Sequence, residues 1–101
     1  MATTYSTTHL TESGTLDDST LYIIDMTDTD VDLTLPAVSG LNGRYYIIKR
    51  PWDESTNILT IYAAENETIN GSSSMELNTG ETVGIACNES ASDWINLYGA
   101  Q

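Results

Sequence analysis

The chain has 101 residues, 40% of them hydrophobic, with fifteen acidic side chains against three basic ones and a formal net charge of −12. That length allows one domain, and a domain of this size buries only about 60–65% of its unfolded surface, so it gains from partners. Nucleic-acid binding draws on counterion release at phosphates, for which only Arg44, Lys49 and Arg50 are on offer, so no nucleic acid and no anionic membrane is expected as a partner. The acidic excess favours solubility and opposes aggregation.

Cys87 is the single cysteine, which leaves no intrachain disulfide and sets aside the small disulfide-stapled class. The opening stretch "MATTYSTTHLTESGT" has neither the basic n-region nor the apolar core of a secretory signal. The apolar runs are far shorter than the ~20 residues that span a membrane. Three glycosylation sequons, at Asn66, Asn70 and Asn88, read as ordinary turn residues.

Taken in chain order, residues 1–16 form a polar Thr/Ser-rich N-terminal arm, followed by one β domain over residues 17–101. The arm reads either as an extended segment that pairs with another chain or as a frayed tail. "LYIID" (21–25) is a buried strand, and "VDLTLP" (31–36) alternates Val31, Leu33 and Leu35 inward with Asp32 and Thr34 outward. Pro36 lacks a ladder donor and closes that strand. Beyond the loop "AVSGLNG", strands follow at "RYYIIK" (44–49) and, past the turn-rich "RPWDESTN", at "ILTIYA" (58–63). Asn70-Gly71 is a tight-turn dipeptide, and "MEL" (75–77), "TVGIAC" (82–87) and "WINLYG" (94–99) complete the series.

Thr, Ile, Val, Tyr and Trp dominate these segments, and no helical period is sustained. The pattern predicts an all-β fold: a small β-sandwich or jelly-roll-like domain of about seven or eight short antiparallel strands.

No catalytic constellation is legible. Nucleophilic chemistry needs a nucleophile, a base and an orienting group, yet the sole histidine, His9, lies in the arm and Cys87 closes an apolar run. A structural zinc site requires more Cys and His ligands than this chain holds. The expectation is a protein that is not an enzyme and carries no cofactor or metal. The acidic stretch "DMTDTDVDLTLP" places Asp25, Asp28, Asp30 and Asp32 close together. Counted from Asp28 as a calcium loop, the required glycine is Leu33 and the required glutamate is Ser39. These aspartates therefore read as the solvated tip of a β-hairpin joining Ile24 to Val31. Among the aromatics, Trp52 lies in a loop and makes, with Asp53, the one candidate surface contact.

The order of segments resembles a module recurrent in bacteriophage tail fibres, head fibres and capsid decoration proteins. "VDLTLP", "YYIIK", "ILTIYA", "ETING", "TVGIAC" and "SDWINLYG" match its succession of short motifs over residues 20–99. The resemblance implies a virion protein, commonly a homotrimer, assembled in the host cytoplasm and docked on other capsid or tail proteins. It implies no catalytic or ligand residues. The alternative within it is a fibre tip that binds a host-surface glycan or receptor through Trp52 and Asp53.

Overall fold

The computed structural model describes residues 6–99. The protein is all-β, with ten strands among the described residues. They are β1 (Thr7–Leu10), β2 (Gly14–Thr15), β3 (Leu21–Ile24), β4 (Val31–Thr34), β5 (Tyr45–Lys49), β6 (Leu59–Tyr62), β7 (Thr68–Ile69), β8 (Ser74–Leu77), β9 (Thr82–Asn88) and β10 (Asp93–Gly99). They form a six-stranded sheet of order β1-β3-β5-β9-β10-β7 and a four-stranded sheet of order β2-β4-β6-β8.

From β1 to β6 the chain changes sheet after every strand. As a result β1, β3 and β5 lie parallel in one sheet, and β2, β4 and β6 lie parallel in the other. The expectation of antiparallel strands is thereby corrected: five of the eight strand pairs are parallel. Alternation and turn residues reveal strands and their inward faces, but they do not specify which strands share hydrogen bonds. The hairpin expected between Ile24 and Val31 is corrected for the same reason. β3 and β4 belong to different sheets, so residues 25–30 are a crossing between sheets and not the tip of a paired ribbon.

Ordinary antiparallel pairing closes the fold. β8 returns along β6, β9 along β5, and β10 along β9 with a bulge between Asn96 and Tyr98. The Asn70-Gly71 turn forms as its residue types require. Both residues have left-handed φ, 50° and 85°, and Ile69 and Ser72 exchange backbone hydrogen bonds of 2.6 and 2.9 Å across it.

One core receives side chains from both sheets. Tyr22, Ile24, Tyr46, Ile48, Val83, Ile85 and Trp94 descend from the six-stranded sheet; Val31, Leu33, Leu59, Ile61 and Leu77 rise from the other. Tyr46 stands between Tyr22 (edge-on, centroids 5.8 Å apart) and Trp94 (5.4 Å). Its hydroxyl donates to the Asp17 carbonyl at 2.8 Å, so this buried ring leaves its polar end satisfied. Cys87 is a buried thiol in the same core. Burial is the main influence raising its pKa, and the carboxylates of Glu89 and Glu67 add to the rise.

The Thr/Ser-rich segment joins this fold over its described part; residues 1–5 of the expected arm lie outside the described residues. β1 pairs with β3, β2 pairs with β4, and Leu16 is only 1% exposed. Leu16→Ala is therefore expected to cost about 2–5 kcal/mol, as for a core leucine, read from urea unfolding curves. A cost below about 0.5 kcal/mol, typical of surface sites, would show that the segment contributes nothing to the core.

Candidate functional site

Arg50 organises the loop that carries Trp52 and Asp53. It follows β5 directly and is 3% exposed, the single charged residue among the buried polar ones described. A buried guanidinium is tolerable only when its donors are paired. Here Nε and Nη2 make a two-pronged bond to the Asp53 carboxylate, both at 2.9 Å, and Nη1 donates to the Leu77 carbonyl at 3.0 Å. Nη2 also reaches the Ser55 carbonyl at 3.3 Å.

Asp53 is held as firmly as it holds. Its Oδ1 accepts the Ser55 N–H at 3.0 Å, an Asx-type turn. The Thr79 hydroxyl accepts its N–H at 2.6 Å and donates to its carbonyl at 2.8 Å. Hydrogen bonding to Arg50 is the main cause that holds the Asp53 carboxyl below the usual carboxylate range, against the opposing effect of burial.

The same loop is tied to the acidic crossing. Asn57 Nδ2 donates to the Thr27 carbonyl at 3.0 Å, and the Ile58 N–H donates to Asp30 Oδ1 at 2.8 Å. Asp30 thus caps a backbone donor at the entry to β6. Asp25 faces His9, with Oδ2 3.2 Å from Nδ1. Asp32 stands exposed on β4, where its N–H donates to Ser13 Oγ at 2.8 Å. Among the described residues, no three acidic, His or Cys side chains come together in a group that could hold a metal ion.

Between loop and crossing lies an open groove of about 420 Å³, bordered by Met26, Asp28, Asp53 and Glu54. A smaller depression beside it, about 100 Å³, is walled by Asp25, Met26, Pro51 and Trp52. Trp52 is 77% exposed, as the loop reading predicts. The tertiary structure therefore brings Trp52 and Asp53 to the same end of the molecule as Asp25 and Asp28. Asp30 braces the crossing beneath them, and Asp32 lies apart on the strand.

This surface offers an indole face and carboxylates, suited to contact through stacking and hydrogen bonds. Arg50 escaped sequence reasoning as its organiser. The available signal was a rare arginine followed by proline, with aspartate three residues on.

Two outcomes are expected from variants here. Asp53→Ala should cost about 2–3 kcal/mol at neutral pH, somewhat under the figure for breaking a fully buried pair because Asp53 keeps some contact with water. Because its pKa is depressed in the folded state, the stability from the pair is complete above the unfolded value of about 3.9. It is lost as pH falls through the folded value, so wild type and Asp53→Ala should converge in urea titrations on acidification. Trp52→Ala should change stability by less than about 0.5 kcal/mol.

No protein-family model matches this chain, and no curated protein matches it in sequence.

Proposed function

We propose that this protein is a structural component of a bacteriophage particle, a capsid decoration or a head- or tail-fibre subunit. It works by self-association, as a homotrimer, and by docking on other capsid or tail proteins; it is not an enzyme. One observation carries the reading. The segments whose order resembles the phage module are the ones that build the common core. "VDLTLP" supplies Leu33 and Leu35, "YYIIK" Tyr46 and Ile48, "ILTIYA" Leu59 and Ile61, "TVGIAC" Val83 and Ile85, and "SDWINLYG" Trp94. The matched motifs thus coincide with one packed unit, which is what a shared β module requires and what scattered surface similarity would lack.

Sedimentation equilibrium tests the reading. The expected particle has three chains of 11.0 kDa, and its mass should hold on dilution into the micromolar range. A monomer throughout that range would count against self-association.

The second reading, a receptor- or glycan-binding tip, is favoured by the exposed Trp52 beside the acidic groove. On a glycan array it expects binding that Trp52→Ala abolishes; binding indifferent to that substitution would remove Trp52 as the contact.

A further inference from the structure

We infer that the outer face of the six-stranded sheet is the surface on which a second copy of this chain docks. The inference rests on the self-association reading above and adds to it the face that is used.

A sheet with one face on the core ordinarily turns polar residues to the other. The four-stranded sheet does so: one cross-strand row is Asp32, Thr60 and Glu76, and the next is Thr34, Tyr62 and Ser74. The six-stranded sheet does not. Opposite the buried Tyr22, Ile24, Tyr46, Ile48, Val83 and Ile85, its strands alternate Leu21, Ile23, Tyr45, Ile47, Gly84 and Ala86 outward. The rows align these residues across strands. Leu21, Ile47, Gly84 and Tyr98 are successive neighbours, as are Tyr45, Ala86 and Ile95.

Gly84 has a particular part. A Cβ at that position would stand 2.4 Å from the Tyr98 ring, so the glycine lets the ring lie down on the sheet. Tyr98 remains 50% exposed, Ile95 41% and Tyr45 38%. Beside them a shallow apolar depression of about 260 Å³ runs along Leu21, Tyr45 and Ile47.

Charge leaves this face open to a second copy. The chain carries fifteen acidic residues, yet β1, β3, β5, β7 and β9 contain none, and β10 has only Asp93 at its start. The carboxylate of Asp93 is engaged there by the Thr68 hydroxyl at 2.6 Å and the Gly71 N–H at 3.1 Å. The outward Lys49 turns its ammonium to the Gly80 carbonyl at 3.0 Å. Two copies meeting through this face bring no opposing carboxylates together at its centre. Asp32 and Glu76, the acidic residues of the four-stranded sheet, lie on the far side of each copy from this contact.

The area suffices. Five strands about 4.8 Å apart, each about five residues long at ~3.3 Å per residue, make a face of roughly 24 by 17 Å in projection. A corrugated surface exposes more than its projection, so each copy that turns this face inward buries on the order of 500 Å², and a closed trimer about 1,500 Å² in all.

Sedimentation velocity on wild type and on Ile95→Glu, Ile47→Glu and Tyr62→Glu tests the inference, with circular dichroism and a thermal melt run on each. Wild type should sediment as an oligomer, and its association should tighten as salt rises, because salt screens the net charge and favours apolar burial. Ile95→Glu and Ile47→Glu should dissociate at least tenfold more readily, and Tyr62→Glu on the opposite sheet should behave as wild type. The salt series needs no variant, so it stands even where Ile47→Glu fails to fold.

Oligomers that persist in the folded Ile95→Glu variant would overturn this face while leaving self-association intact. Oligomers that dissociate with salt, or that Tyr62→Glu disrupts, would likewise move the contact elsewhere. A wild-type monomer at every concentration and salt would overturn both readings together.

Discussion

Parallel pairing of β3 with β5 and of β4 with β6 is the constraint on which the rest depends. Two strands can lie parallel only if the chain returns to its starting end between them. Here the return is made by a strand of the opposite sheet in place of a helix. Each strand therefore delivers its inward residues to the space between the sheets from the side opposite the strand before it. The single core, the crossing at residues 25–30 and the loop at 50–57 all follow from that route.

The route also accounts for Arg50. Leaving β5, the chain must travel from the six-stranded sheet to β6, and residues 50–57 are that passage. A loop of this kind exposes backbone groups to a partly dry environment, where each must find a partner. The buried guanidinium supplies donors to the carbonyls of Leu77 and Ser55 and fixes Asp53, which in turn fixes the Ser55 N–H. Asp30 serves the Ile58 N–H from the neighbouring crossing. Asp30 and Asp53 are thus engaged in holding two passages side by side. Trp52 is carried outward on that braced platform.

The two sheets differ in what they turn outward. The four-stranded sheet shows rows of Asp32, Thr60 and Glu76 and of Thr34, Tyr62 and Ser74, whereas the six-stranded sheet shows Leu21, Ile47, Tyr45 and Ile95. Twelve of the fifteen acidic residues lie outside the strands. A small domain with limited core gains stability by covering an apolar face. It stays soluble and discriminating if its charge surrounds that face. An acidic composition and an apolar sheet face are therefore compatible in one protein.

The all-β class and most of the strands were legible in the order of residues alone. Alternation placed Val31, Leu33 and Leu35 in the core, the Asn-Gly pair formed its turn, and Trp52 emerged into solvent, because these outcomes depend on local chemistry and period. Long-range packing settled which strands pair, and with that whether residues 25–30 tip a hairpin or cross between sheets. It also decided the faces of "LYII" and "YYII", where every position is apolar and period gives no sign of direction. The short β1, β2 and β7 were hidden because their few polar residues owe their strand form to neighbours far along the chain. Arg50 was hidden for the same reason: the carbonyl of Leu77 meets it, and Thr79 meets its partner Asp53, only after folding.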